Sequence, residues 1–162
     1  MVSRYYPCFY TPKATTSERQ AGCEQLLWRK DKNAAFGYRR VEQSVFDSLP
    51  DVERATGNVH PTVKSVGTLE HPGLMMWLVS LVCPSGGRGG DPFCGSGSTL
   101  LAAHVLGFDW AGSDLSPEAI EIAQARLAHR GSGSGKVALA QAEILPVAAP
   151  CTPGKLKSFW RK

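Results

Sequence analysis

The stretch "RGGDPFCGSGSTLLAAHVLG", Arg88 to Gly107, decides the fold. A short lead ends on Asp91, a run of small residues follows, and an apolar helix-like pattern begins near Ser98. Strand, glycine loop and helix in direct succession open a parallel-sheet unit, in which ligands sit at the loop beyond the strand's carboxyl end. Gly95 and Gly97 let the backbone turn sharply and let a ligand approach without interference from a Cβ. A helix starting near Ser98 aims its free N–H groups and positive dipole end into the same space. Gly107 closes that helix after Leu106 as a left-handed cap.

Working outward, "LMMWLVSLV", Leu74 to Val82, reads as a buried helix that opens after Pro72-Gly73 and stops before Cys83-Pro84. Ser85 to Gly87 is a turn into the strand that ends at Asp91. "WAGSD", Trp110 to Asp114, is a second short strand. "SPEAIEIAQARLAHR" then begins with Ser116 as N-cap and Pro117 at the first helical position. Ala119, Ala123 and Leu127 recur every four residues, with Ile120 beside them, and Gly131 supplies the stop. "GSGSG", Gly131 to Gly135, is a turn or linker, and "KVALAQAE" after it is expected as a third strand. Alternating strands and helices imply an α/β domain with a parallel sheet and right-handed crossovers.

The chemistry of the loop narrows the ligand. A triphosphate-binding P-loop needs Gly-Lys-Ser/Thr, but Gly97 is followed by Ser98-Thr99 with no lysine. A dinucleotide fingerprint needs a third glycine where Leu100 stands. The loop opens instead on Asp91, whose carboxylate repels phosphate and welcomes an ammonium or sulfonium. Asp114, at the expected end of the next strand and about twenty residues on, stands where a carboxylate accepts hydrogen bonds from ribose hydroxyls. An adenosine carrying a cationic amino-acid arm is S-adenosylmethionine.

Here the sequence resembles the site-specific DNA methyltransferases that modify exocyclic amino groups, adenine N6 or cytosine N4. "DPFCGSGST", Asp91 to Thr99, is similar to that family's cofactor loop. "HPTVK", His60 to Lys64, resembles the segment that wraps the methionine end, and "GSD" with "SPEAIEIAQARL" resembles its second strand and helix. "YTPKATTSERQAG", Tyr10 to Gly22, resembles a linker of the same enzymes. The main resemblance covers residues 58 to 130. It implies a Rossmann-like S-adenosylmethionine-dependent methyltransferase fold, incomplete in this chain. Asp91, Pro92, Phe93, Gly95, Ser96, Gly97, Ser98 and Thr99 would then wrap the methionine and ribose. Asp114 would take the ribose hydroxyls, and Thr62 and Lys64 would meet the methionine carboxylate. His60 reads as a turn residue. The implied partner is duplex DNA with a flipped adenine or cytosine, in a restriction-modification setting.

Base chemistry in that family depends on an Asp/Asn/Ser-Pro-Pro-aromatic tetrapeptide, which holds the target amine and stacks the flipped base. The sequence contains no Pro-Pro pair, so no catalytic residue is assigned. Those enzymes place the tetrapeptide ahead of the HPTVK segment, yet only 59 residues precede His60. The expectation is a truncated, decayed or split enzyme whose catalytic motif lies on a second polypeptide; a non-catalytic module that binds the cofactor or a partner is the alternative. Two departures stand out. "RGG", Arg88 to Gly90, replaces the apolar residues usual in a strand buried on both faces. "GTLEHPG", Gly67 to Gly73, lengthens the path from HPTVK to its helix.

Composition sets the remaining bounds. At 162 residues, 43% hydrophobic and 20% charged, the chain fits one globular core. It divides into a linker or target-recognition remnant (1–57), with only "VEQSVFDSL" suggesting a short helix, a cofactor-binding α/β domain (58–145), and a loose basic tail (146–162). The start "MVSRYYPCFYTPK" has no signal-like apolar run, and no stretch approaches a membrane span, so a cytoplasmic protein is expected. Cys8, Cys23, Cys83, Cys94 and Cys151 stand singly, matching neither a zinc knuckle nor a disulfide framework. No metal is expected. A net charge of +4, with basic residues thickest before residue 41 and at the end, permits nucleic-acid contact without arguing for it.

Overall fold

The computed structural model describes residues 13–130. The expected third strand at 136–143, the stop at Gly131 and the tail lie outside the described residues. In chain order the elements are α1 (Thr16–Gln20), β1 (Leu27–Lys30), β2 (Tyr38–Arg40), α2 (Gln43–Ser48), a 3-10 turn (Asp51–Glu53), β3 (Arg54–Thr56), α3 (Leu74–Val82), β4 (Arg88–Asp91), α4 (Ser98–Val105), β5 (Asp109–Gly112) and α5 (Pro117–Arg130). The result is a mixed α/β fold with two sheets: β4 and β5 pair in parallel, while β2-β1-β3 form an antiparallel sheet.

The parallel half follows the sequence closely. Arg88 to Asp91 pair with Asp109 to Gly112 in register. The second strand therefore begins one residue earlier than expected and ends at Gly112, leaving Asp114 two residues beyond it, in the turn to α5. Ser116 caps α5, its Oγ accepting from Ala119 N–H at 3.2 Å and donating to Glu118 Oε2 at 2.8 Å. Gly107 takes a φ of 77°, the left-handed stop after α4. One expectation needs correction. The helix over Leu74–Val82 forms, but only Met76 and Val79 are buried, and Leu81 and Val82 face outward. The departure noted at Arg88 to Gly90, by contrast, fits the structure, where Arg88 and Gly90 are exposed.

Residues 13–57 contain more order than their mixed pattern suggested. The expected short helix is α2, and three strands surround it. Trp28, at the centre of β1, is fully buried and donates from Nε1 to the Gly57 carbonyl at 2.6 Å. With Cys23, Leu26 and Ile122 it forms one apolar cluster. A second cluster gathers Val66, Met76, Val79, Leu100, Leu101, Ala123 and Leu127 between α3, α4 and α5. Helix α5 serves both. Ile122 and Ala125 face the antiparallel sheet, while Ala123 and Leu127 pack under α4.

Candidate functional site

The glycine loop folds back on the end of β5. Ser113 N–H donates to Asp91 O and Cys94 N–H to Ser113 O, both at 3.0 Å, and Gly97 N–H closes a turn onto Cys94 O at 2.8 Å. Gly95 and Gly97 adopt φ values of 51° and 74°, left-handed conformations that glycine takes without steric cost. Their missing side chains also make room for protein. A Cβ on Gly95 would lie 2.9 Å from His60 Nε2, and one on Gly97 would lie 2.9 Å from the Ala123 Cβ. Close packing, as well as ligand access, therefore requires both glycines.

Asp91 and Asp114 bracket this loop. Asp91 Oδ1 accepts from Phe93 N–H at 3.1 Å. Asp114 uses both oxygens: Oδ2 accepts from Gly95 N–H and Oδ1 from Ser116 N–H, each at 2.9 Å. A carboxylate has about four lone-pair sites, so two backbone donors leave capacity for further partners. Behind the loop Arg126, 2% exposed, donates to Ser96 O at 2.6 Å and to the hydroxyls of Ser96 and Ser98 at 3.2 Å. Burial lowers the Arg126 pKa below its ordinary value, and its Nη2 is buried without a partner among the described residues.

The opposite wall is the segment from Asn58 to Val66, and α1 fixes it. Glu18 Oε1 accepts from Val66 N–H at 2.7 Å and from the Ser65 hydroxyl at 3.2 Å. Gln20 Oε1 accepts from Asn58 N–H at 2.7 Å, and Arg19 donates to His60 O at 3.0 Å. The residues resembling a linker, Tyr10 to Gly22, thus include a clamp on the HPTVK segment. His60 is buried, with Nδ1 accepting from Thr62 N–H at 3.2 Å and the ring of Phe36 meeting its own edge to face at 4.6 Å. That hydrogen bond leaves the proton of the neutral imidazole on Nε2, on the Gly95 side. Burial lowers the His60 pKa, opposed by the Asp114 charge and reinforced by Arg126 and Arg19.

Between these walls lies a pocket of about 510 Å³. Of the residues singled out in the sequence, Asp91, Phe93, Gly95, Ser96, Ser98, Thr99, Asp114, Thr62 and Lys64 line it. Pro92 and Gly97 do not; they shape the loop from behind. Sequence reading missed Ala35, Phe36, His60, Met75, Cys94, Leu115 and Ser116 as lining residues. Of these, His60 carried a signal as part of HPTVK, Cys94 as part of the glycine loop and Ser116 as a helix cap. Phe36 reaches the pocket from the loop between β1 and β2, where no local pattern marks it. Phe93 and Leu115 are 78% and 89% exposed, leaving apolar surface at the mouth. The Cys94 thiol is pushed up to about 11, chiefly by burial and further by Asp114 and Asp91, so at neutral pH it is no nucleophile. Among the described residues no group of three His, Cys, Asp or Glu side chains is placed to hold a metal ion. No described helix is long and apolar enough to cross a membrane.

Comparison with known protein families matches residues 10–125 to the family described as DNA methylase. No curated protein and no solved structure matches the chain. The family match spans well over half of the chain and takes in every residue that lines the pocket. The chain belongs to the DNA methylase family.

Proposed function

We propose that the pocket binds S-adenosylmethionine on a Rossmann-like methyltransferase scaffold, in the service of adenine-N6 or cytosine-N4 methylation of DNA. One observation carries this reading: two carboxylates, Asp91 and Asp114, share a glycine-loop pocket with Lys64 on the facing wall. A pocket for phosphates would not place acids at the loop, whereas a zwitterionic amino-acid arm on adenosine has a use for each charge. Asp91 meets the cationic arm, and Thr62 and Lys64 meet its carboxylate. Asp114, already ordered by two backbone N–H groups, accepts from the ribose hydroxyls. Thr99 offers a hydroxyl along the loop, while the hydroxyls of Ser96 and Ser98, bonded to Arg126, brace it, with Gly95, Gly97 and Pro92 setting its course. Phe93 and Leu115 offer the purine an apolar edge. Bound there, the cofactor would supply an electrophilic methyl group on its sulfonium.

The groups that would activate the target amine are not among these residues. No Pro-Pro-aromatic tetrapeptide occurs in the sequence. We therefore assign to this chain the cofactor-holding role and place base activation on residues outside it, on a second polypeptide or another segment. Calorimetry with S-adenosylhomocysteine, NAD and ATP tests the reading. Tighter binding of S-adenosylhomocysteine than of NAD is expected, and equal or tighter NAD binding would overturn it. The purified chain alone, incubated with tritiated S-adenosylmethionine and mixed-sequence DNA at low salt, is expected to transfer no label. Label that disappears in Asp91→Ala would show that a residue of this chain activates the amine.

A further inference from the structure

We propose that the outer face of the antiparallel sheet is a docking surface for the phosphate backbone of duplex DNA, built on a ladder of three arginines. The register places Arg29 of β1 opposite Arg39 of β2 on one side and opposite Arg54 of β3 on the other. Directly paired residues share a sheet face with Cβ atoms about 4.5–5.5 Å apart, and like charges so placed are destabilising. Trp28 and its partners Arg40 and Ala55 occupy the other face, toward the core. A three-rung row of cations costs the fold stability and contributes nothing to that core, which points to an anion outside it.

The outer rungs are partly neutralised. Arg39 pairs with Asp31 at 2.8 Å, and Arg54 pairs with the exposed Asp51 at 3.2 Å while its guanidinium lies over the Phe46 ring. The central rung is compensated least: among the described residues Arg29 makes no ion pair or hydrogen bond, and Asp31 acts on it only through longer-range charge. Beside it, Lys30 and Lys32 are exposed and share an open cleft with Arg29 and Tyr38, against the acids Asp31 and Glu53. Apart from Arg40, which lies on the core face and pairs with Glu121 at 3.0 Å, the hairpin from Leu27 to Arg39 carries four basic side chains and one acid. The loop of that hairpin also lines the ligand pocket through Ala35 and Phe36. The basic face and the pocket thus share a single structural unit, as a protein acting on DNA requires.

The inference rests on the family's DNA substrate, and a charge-matched comparison tests it. Binding of a fluorescent mixed-sequence duplex is followed by anisotropy between low and moderate salt. The wild type is set against R29Q/K30Q/K32Q and against K13Q/R88Q/R130Q, which removes the same charge from exposed sites elsewhere. The hairpin variant is expected to bind roughly tenfold or more weakly at about 0.1 M salt, with a log–log salt slope shallower by about two to three. The control should shift by no more than about twofold. The hairpin variant should also melt no lower than wild type, because repulsion in the ladder is relieved. Equal losses in the two variants, or a wild type that does not bind duplex, would overturn the proposal. So would displacement of the duplex by poly-aspartate at equal charge concentration, which would mark an acidic protein as the partner. Binding of S-adenosylhomocysteine, measured in parallel, is expected to be unchanged in the hairpin variant. Its absence from wild type would overturn the cofactor reading and leave the DNA result standing.

Discussion

The two sheets of the described residues are held together by different means. The antiparallel sheet depends on one large side chain, Trp28, fully buried against Ile122 of α5. In the parallel pair β4 has almost no side chain to bury, since Gly89 and Gly90 occupy half of it, and β5 adds the half-buried Trp110. The pair's order comes from backbone hydrogen bonds at the loop and from α4, where Leu100, Leu101, Ala102 and Ala103 are buried. One sheet is fixed by a single large buried side chain, the other by its turns and by the helix packed on it. The pocket lies where they meet, so a defect in either should reach the ligand by a different route.

Trp28→Ala should give the largest effect. Emptying a fully buried Trp site costs about 3–5 kcal/mol, and loss of the bond to Gly57 O leaves that carbonyl without its donor. Denaturant unfolding should show this loss. Ligand affinity should fall as well, because the β1–β2 loop presents Phe36 to the pocket. A destabilised variant with unaltered affinity would mean that the antiparallel sheet is a bystander to the site.

Arg126→Met addresses the other side of the comparison and should have a smaller effect. It removes three hydrogen bonds to the glycine loop while keeping much of the side-chain volume. Hydrogen bonds to a charged group are worth about 1.5–3 kcal/mol, but relief of the buried charge offsets part of the loss. A net destabilisation of about 1–3 kcal/mol is expected. If the variant proved more stable than wild type, desolvation of the guanidinium would outweigh its bonds to Ser96 and Ser98.

The smallest effect is in pH. Burial holds the folded His60 below its ordinary value of 6.5, against the pull of Asp114. The unfolded chain then binds the proton first as pH falls, so the unfolded state is favoured in that window. The contribution of His60 is fully present above 6.5 and is lost as pH falls through the folded value. Melting temperature should decline over this range in wild type and less steeply in His60→Gln. Parallel profiles would place the imidazole's titration outside the folding equilibrium.

The same contrast explains what was legible in the sequence. The glycine loop could be read because its backbone demands particular residues at particular places: Gly95 and Gly97 at positive φ, Ser116 at the cap, Pro117 just inside α5. The antiparallel sheet could not. Its strands are three or four residues long, too short for an alternating pattern, and its cross-strand pairs are arginines that read as loop. Trp28 was one apolar residue in a basic run. His60 read as a turn residue because its significance lies in packing against Gly95 and Phe36, across 35 and 24 positions of sequence. The apolar run of α3 read as wholly buried, yet the described residues cover only its Met76 and Val79 side.

The central claim is that loops of both sheets line one pocket, which we propose binds S-adenosylmethionine. Hydrogen exchange with and without saturating S-adenosylhomocysteine measures this most directly. The account predicts slower exchange in three separated segments: the loop from Phe93 to Thr99, the HPTVK segment from His60 to Lys64, and Ala35 to Gly37 in the β1–β2 loop. Protection confined to the glycine loop, with the β1–β2 loop exchanging as fast as in the free protein, would contradict it.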